Sequence, residues 1–161
     1  MPGTFSATQR AIHWMILLLC IAQVPTAWAV QRTHMVSGGL EQRPFDLFVR
    51  QVHAWSGWLI MGLAFLLLVL RIRHGRPAPV EGTSRLAQKF AAITHLTLYG
   101  LRFALAATST VAMYLTFSVA PIHSLLSWTL LAVAVAHAGA ALWHHFWRRD
   151  DVLCRMVRSA P

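Results

Sequence analysis

The chain has 161 residues, of which 57% are hydrophobic and only 12% are charged. Soluble domains carry about 25% charged residues, so this composition excludes an ordinary soluble domain and indicates a membrane protein. The formal charge of +9 would fit a nucleic-acid-binding protein, but long apolar runs separate the basic residues and exclude a solvated basic face. Nine histidines are unusual in so small and apolar a chain, because ionisable groups inside a membrane are costly.

Four apolar stretches are long enough to cross a bilayer, which takes about 20 helical residues. We predict an all-α, integral membrane four-helix bundle that forms a single domain over residues 1–161. Glycine and proline in the linkers 31–47 and 71–90 predict loops, and a short turn around Pro121 predicts that the last two helices are antiparallel neighbours. The predicted helices are residues 11–30, 48–70, 91–117 and 122–147.

Arginine and lysine residues are distributed unequally between the two sides of the predicted bundle. Ten flank the N-terminus, the second linker and the C-terminal tail, whereas three flank the opposite side. By the positive-inside rule we expect both termini in the cytoplasm. The sequence Ala27-Trp28-Ala29 imitates a secretory cleavage site, but cleavage would leave an odd number of helices, so we expect the first helix to be retained.

Seven of the nine histidines lie in or at the ends of the predicted spans. A single histidine on an apolar helix is most often a packing residue, but His123 and His137 have an informative spacing. They are 14 residues apart on the fourth helix, so they fall within about 40° of one face and about 21 Å apart along its axis. This spacing suits two ligand sites stacked inside a bundle. The seven residues are His13, His53, His95, His123, His137, His144 and His145.

Each stacked site needs a second ligand at a similar depth on another helix. His53 begins the second predicted helix on the outer side and can pair with His123. His13 begins the first helix on the inner side and can pair with His137. Two axial imidazoles without a carboxylate or thiolate suit haem iron best, and the absence of a C-x-x-C-H motif excludes covalent attachment. We therefore predict two non-covalent b haems.

Small residues beside these histidines would leave room for a flat macrocycle. Gly57 lies four residues after His53, and Gly139 lies two residues after His137 among several alanines. Small residues are also common at membrane helix contacts without any cofactor, so this pattern alone discriminates little.

Several short motifs surround the histidines. They are Arg10-x-x-His13-Trp14, His53-x-x-x-Gly57, His95 opening the third helix, His137-Ala-Gly-Ala-Ala-Leu-Trp-His144-His145-Phe146, and Asp151-x-Leu153-x-Arg155-Met156. Over essentially the whole chain they resemble the bacterial di-haem cytochrome b561 family, which includes the superoxide oxidase (superoxide:ubiquinone oxidoreductase) of the inner membrane. The resemblance implies a multi-pass inner-membrane protein with two b haems. It implies His53 and His123 for the periplasmic haem, and His13 and His137 for the cytoplasmic haem.

The resemblance also implies a ubiquinone site near the cytoplasmic haem. The matching candidates are His95 and His144. Either imidazole could hydrogen-bond a quinone carbonyl or relay a proton during reduction. Alternatively, each could be an interfacial histidine that bonds a haem propionate or water.

Two arginines are candidates for contacts with the cofactors. Arg102 lies inside the third predicted span, and no Asp or Glu lies in any predicted span, so we expect a haem propionate as its counter-charge. Snorkelling to the interface and a self-association contact are the alternatives for Arg102. Arg71, at the inner end of the second span, could contact a propionate or the quinone, although such arginines also determine topology.

Two functions fit these features. As an oxidoreductase, the chain would oxidise periplasmic superoxide and reduce ubiquinone near the cytoplasm; as a relay subunit, it would pass electrons between a periplasmic dehydrogenase and the quinone pool. A haem-free scaffold is the remaining alternative. The partners expected are membrane lipid, ubiquinone, superoxide or another periplasmic donor, and a second copy in a homodimer. Electrostatic attraction of superoxide would be modest, because Glu41 and Asp46 reduce the charge of Arg32, Arg43 and Arg50 to +1.

Overall fold

The computed structural model describes residues 5–35, 43–75, 77–80 and 82–157, without the side chains of residues 34 and 35. Within these ranges the chain is helical and contains no strand. The long helices are α1 (Ala7–Met35), α2 (Pro44–His74), α3 (Arg85–Tyr114) and α4 (Ala120–Phe146). A 3-10 turn, Phe117–Val119, precedes α4, and a short helix α5 spans Cys154–Val157. Among the described residues, four helices are long and apolar enough to cross a membrane, and they correspond to the four predicted spans.

The helices are longer than the apolar stretches from which they were predicted. α2 begins at Pro44 rather than at residue 48, because a proline in the first turn lacks only an N–H that the helix does not use. α3 begins six residues earlier than predicted, where the Ser84 hydroxyl accepts a hydrogen bond from the Ala87 N–H at 3.2 Å. His53 and His95 therefore lie nine and ten residues into their helices, not at the helix starts.

The connection between α3 and α4 also differs from the prediction. α3 ends at Tyr114 rather than at residue 117, and Pro121 lies in the first turn of α4 instead of marking the turn itself. A proline is well accommodated there for the same reason as Pro44. Parts of the predicted loops lie outside the described residues: Gly38, Gly39, Glu41, Arg76, and the side chain of His34.

The two ends of the bundle can be distinguished by the chain segments that they hold. We call the end with the beginnings of α1 and α3 and the ends of α2 and α4 the terminal end, because both chain termini of the described region lie there. We call the opposite end the far end. This antiparallel arrangement is the one expected for an even number of spans.

The bundle is built from two helical hairpins, and its tightest packing lies between α1 and α2. Ile12 and Ile16 of α1 pack against Ile60 and Ala64 of α2 in the buried core. Ala64 is completely buried, so its methyl side chain sets a close approach between the two helices. α3 packs mainly against α4, and α2 joins the two hairpins through its contact with α3.

The C-terminal segment folds back over the terminal end. The Trp14 indole N–H donates to the Met156 carbonyl at 3.0 Å, which ties this segment to α1. The Arg155 guanidinium donates to the Ala78 carbonyl at 2.6 Å, which ties it to the α2–α3 connection. Residues 147–157 are therefore part of the packed structure at this end.

An ion pair joins α1 and α2 at the far end. The Arg32 guanidinium donates to Asp46 Oδ1 at 2.7 and 3.1 Å. Asp46 lies in the first turn of α2, because this helix begins earlier than predicted. The predicted span contained no acidic residue, whereas the observed helix contains one. The pairing uses one of the cations that were expected to attract an anionic substrate.

Most large apolar side chains point away from the protein. Leu18, Phe48, Trp55, Leu96 and Trp128 are examples whose surfaces are largely exposed. In a soluble protein such a surface would be unstable, whereas in a bilayer it faces lipid.

Candidate functional site

Three histidines from three helices meet in the terminal half of the bundle. The ring centres of His13 (α1) and His137 (α4) are 6.4 Å apart, with an angle of 67° between the ring planes. His95 (α3) lies closer to His137, with ring centres 5.1 Å apart and an angle of 75°. The sequence had assigned His13 and His137 to one site and His95 to its surroundings. The structure brings all three together.

The ring separations distinguish the two possible partners of His137. For two imidazoles on opposite sides of one metal ion, a metal–nitrogen bond of about 2.0–2.1 Å and about 1.15 Å from nitrogen to ring centre give about 6.4 Å between ring centres. The 6.4 Å between His13 and His137 matches this value. The 5.1 Å between His95 and His137 is too short for such an arrangement. The ring separation of His13 and His137 is therefore compatible with two ligands of one metal ion, as the sequence predicted for this pair.

His53 (α2) and His123 (α4) form a second layer toward the far end. The two imidazoles are within electrostatic range of each other. Each is held by a threonine from a neighbouring helix. The Thr26 hydroxyl lies 2.9 Å from His53 Nδ1, and the Thr108 hydroxyl lies 3.0 Å from His123 Nδ1.

The threonine contacts favour one tautomer of each imidazole, in which the hydroxyl hydrogen is used within the threonine's own helix. Thr26 donates its single hydroxyl hydrogen to the Ala22 or Gln23 carbonyl of its own helix, and Thr108 does the same with a carbonyl of α3. Each hydroxyl oxygen can then only accept from Nδ1–H, so the lone pair of the neutral ring is on Nε2. A partner on Nδ1 with a free Nε2 is the arrangement of metal-binding histidines.

Gln23 forms hydrogen bonds beside His53 in the second layer. No sequence pattern had indicated a role for this residue. Its amide nitrogen donates to the His53 carbonyl at 3.1 Å and to the Ser56 hydroxyl at 3.3 Å. A Cβ atom at Gly57 would lie 3.3 Å from this amide nitrogen, so the space beside Gly57 is used by Gln23. Gly139, in contrast, has open space around it. The small residues therefore have different roles in the two layers.

Arg102 places a positive charge between the two layers. Its Nη1 donates to the Leu98 carbonyl at 2.9 Å, and the guanidinium also interacts with the Cys20 thiol. His13 and His137 are within its electrostatic range. Its Nε is buried without a hydrogen-bond partner, and none of the ion pairs in the described ranges includes Arg102. A half-buried guanidinium in this state lacks a counter-charge.

Arg71 lies on the other side of the histidine cluster. It is half-buried near the end of α2, within electrostatic range of His95. The cluster of three histidines is thus flanked by two arginines, one at the terminal end and one deeper in the bundle. An anionic group bound at this cluster would be attracted by both arginines.

His144 does not join the three-histidine cluster in the ring contacts of the structure. Its Nδ1 lies 2.5 Å from Asp150 Oδ2, and both side chains are largely buried. The sequence had suggested a role for His144, but Asp150 was missed because it follows the helix and no spacing rule connects the two. The His145 ring packs edge-on against the Phe146 ring, and we assign it no functional role.

Within the described ranges, no group of three or more His, Cys, Asp or Glu side chains is arranged to hold a bare metal ion. Two-histidine pairs nevertheless suffice for a cofactor that supplies its own equatorial ligands. Haem is such a cofactor, since its iron needs only two axial ligands from the protein.

Comparison with known proteins identifies the family of the chain. A sequence profile described as prokaryotic cytochrome b561 matches residues 4–159. The chain belongs to this family. Membership means a bacterial membrane protein that binds haem b and transfers electrons across the membrane.

Individual relatives cover nearly the full length of the chain. Cytochrome b561 homolog 1 of Escherichia coli (strain K12) is 28% identical, and the match covers 95% of this chain and 96% of the relative. A protein of Yersinia pestis described as probable superoxide oxidase CybB is 25% identical, covering 98% and 97%. Cytochrome b561 homolog 2 of Escherichia coli (strain K12) is 23% identical, covering 97% and 92%. No solved structure matches the chain.

The threonine bonds of the second layer can be tested without reference to a cofactor. Thr108→Val removes the hydroxyl that links α3 to His123 and leaves Nδ1 without its partner. Interhelical hydrogen bonds in membranes contribute about 0.6–1.7 kcal/mol, so we expect a loss of unfolding free energy of that size. Thermal unfolding in detergent measures it. Thr110→Val is the matched control, because the Thr110 hydroxyl donates to the Ala106 carbonyl of its own helix. Equal losses of unfolding free energy in the two variants would contradict the hydrogen bond between Thr108 and His123.

Proposed function

We propose that residues 1–161 form one di-haem domain. His13 and His137 hold one haem b in the terminal half, and His53 and His123 hold the other toward the far end. The proposal is supported chiefly by the 6.4 Å separation of the His13 and His137 rings, and by the two threonines that leave Nε2 of His53 and His123 free. Bound at these pairs, haem b supplies one-electron redox chemistry at two depths.

The proposed orientation puts the terminal end in the cytoplasm. Arg71, Arg73, Arg85 and Lys89 lie on helical segments at that end, whereas the far end has fewer basic residues. The positive-inside rule then places the terminal pair of histidines near the cytoplasm and the far pair near the periplasm. The bacterial inner membrane is the location that fits this orientation.

Arg102 and Arg71 are proposed to bind haem propionates in the terminal half. The supporting observation is the buried Nε of Arg102, which has no partner, together with its electrostatic range to His13 and His137. A carboxylate from the cofactor would supply the missing counter-charge. His95 contacts His137 directly and is proposed to line the cofactor or the adjoining ubiquinone site rather than to ligate iron.

The proposed reaction oxidises two periplasmic superoxide ions to oxygen and reduces one ubiquinone to ubiquinol, with two protons taken up on the cytoplasmic side. The supporting observations are the two histidine layers, which span the bundle, and the relative described as a probable superoxide oxidase. His144, two turns beyond His137, is proposed to contact the quinone. Because the Arg32–Asp46 ion pair removes one charge of each sign, capture of superoxide at the far end would depend on Arg43 and Arg50.

The ligand assignment predicts haem contents. We expect two haems per wild-type chain in a pyridine haemochrome assay. His53→Ala should lower the content to one, because His123 alone cannot supply both axial ligands. His95→Ala should retain two haems with low-spin reduced spectra. Two haems in His53→Ala, or one in His95→Ala, would contradict the pairing.

The charge of Arg102 predicts a shift in redox potential. A unit charge about 10 Å from the iron contributes about 1.7 kcal/mol at an effective dielectric constant of about 20. Because about 1.4 kcal/mol corresponds to about 59 mV for one electron, Arg102→Gln should lower the midpoint potential of the terminal-half haem by tens of millivolts. Arg102→Lys should retain it. Arg73→Gln, at an exposed position, is the control for a general loss of charge, and an equal shift in that variant would contradict the proposal.

The reaction itself is tested by stopped-flow mixing of the oxidised protein with superoxide. We expect haem reduction that superoxide dismutase abolishes, followed by reoxidation when a ubiquinone analogue is added. The relay alternative predicts no reduction by superoxide, together with co-purification of a periplasmic dehydrogenase. Failure of ubiquinone to reoxidise the haems would contradict the acceptor.

A further inference from the structure

The carboxylate–imidazole pair at the end of α4 includes Asp150, a residue to which the proposed function gives no role. Asp150 Oδ2 lies 2.5 Å from His144 Nδ1, and the side chains are 14% and 22% exposed. Few carboxylates are available for such a contact, since the chain has only five acidic residues. Burial of this pair at one end of a membrane bundle therefore calls for an explanation.

The backbone is bent to bring Asp150 back to His144. Arg149 has a φ of +53°, in the left-handed region that residues other than glycine seldom adopt. The turn lets the Asp150 N–H donate to the His144 carbonyl at 3.2 Å. The other carboxylate oxygen, Oδ1, accepts from the Val152 N–H at 3.3 Å. Both oxygens of Asp150 are thus held in place before any ligand binds.

The segment after Asp150 is anchored as well. The Trp14 bond to Met156 and the Arg155 bond to Ala78 hold it against α1 and against the α2–α3 connection. Trp14 follows His13 directly, so the anchored segment lies beside the terminal histidine cluster. This arrangement keeps the His144–Asp150 pair at the same end of the bundle as that cluster.

Helix capping does not account for the carboxylate. The carboxyl end of a helix carries partial negative charge, so a carboxylate there is electrostatically unfavourable and a basic residue is favourable. Asp150 gains its stability from His144 and the Val152 N–H instead. The Asp150 carboxylate therefore orients the His144 imidazole rather than capping α4.

An imidazole whose Nδ1–H is held by a carboxylate exchanges protons through Nε2. In catalytic triads and metal sites a carboxylate in this position fixes the tautomer and the ring orientation. His144 lies seven residues after His137, on nearly the same face of α4 and about 10 Å closer to the end of the helix. Its imidazole is therefore placed between the histidine cluster and the water at the terminal end.

We propose that Asp150 is a positioning residue that holds His144 as the proton donor to the quinone. This inference rests on the proposed function, which supplies the two electrons. His144 gives its Nε2 proton to a carbonyl oxygen of the quinone and regains one from water at the terminal end. His144 thus supplies one proton of the quinol, and the carbonyl oxygen on the opposite edge of the ring takes its proton from water, so two protons and two electrons are consumed. Asp150 keeps its hydrogen bond to Nδ1 throughout and exchanges no proton.

The test compares Asp150→Asn with Asp151→Asn in the haem-loaded protein. Asp151 is the adjacent carboxylate, is exposed, and is not placed in the site, so it controls for loss of one negative charge in this segment. Single-turnover reoxidation of the reduced haems by a ubiquinone analogue gives the rate, its dependence on quinone concentration, and the solvent isotope effect. Removal of a ligand-orienting hydrogen bond typically costs about 10–100-fold in activity.

We expect Asp150→Asn to lower the saturating rate about 10–100-fold with little change in the half-saturating quinone concentration, and to raise the solvent isotope effect. Asp151→Asn should match the wild type. In a His144→Gln background, Asp150→Asn should add no further loss, because Asp150 acts through the imidazole.

Three results would overturn the assignment. The first is an Asp150→Asn variant with the rate of Asp151→Asn. The second is loss of a haem from Asp150→Asn, which would show that Asp150 only maintains the fold. The third is additive losses in the double variant. If the wild-type protein itself fails to reduce the quinone, the proposed electron acceptor is wrong, and so is the role of Asp150. That outcome differs from the three results above, in which the wild type reduces the quinone.

Discussion

The spacing of two histidines on α4 is the constraint on which the arrangement of the whole bundle depends. His123 and His137 are 14 residues apart, so one helix presents two imidazoles on one face, about 21 Å apart. The other helices must then supply a partner at each level. His53 and His13 lie on α2 and α1, near opposite ends of the α1–α2 hairpin, and the tight packing of that hairpin fixes their relative depth. A change in the α1–α2 register would therefore disturb both layers together.

The polar groups inside the bundle follow from the cost of placing them in a membrane. Thr26 and Thr108 each contact one nitrogen of a far-end histidine and a carbonyl of their own helix at the same time. Arg102 has an orphan Nε because its partner in our account is a carboxylate of the cofactor. The two layers thus differ in how their polar groups find partners. In the far-end layer the protein's own hydroxyls are the partners, whereas in the terminal layer our account assigns that part to the bound cofactor.

The sequence predicted the parts of this site that depend on helical periodicity. The four spans and the common face of His123 and His137 follow from apolar length and from 100° per residue. The helix boundaries were less accurate, because polar first turns at Pro44 and Ser84 extend α2 and α3 beyond their apolar stretches. Gln23, Thr26 and Thr108 were not predicted, since their contacts depend on how one helix is rotated against the next. Asp150 was missed because a left-handed residue, Arg149, turns the chain back.

The most direct test of the central claim is to locate iron in crystals of the haem-loaded protein by anomalous diffraction at the iron edge. Our account predicts two iron peaks about 20 Å apart, one between His13 and His137 and the other between His53 and His123. A single peak, or an iron ligated by His95, would contradict it.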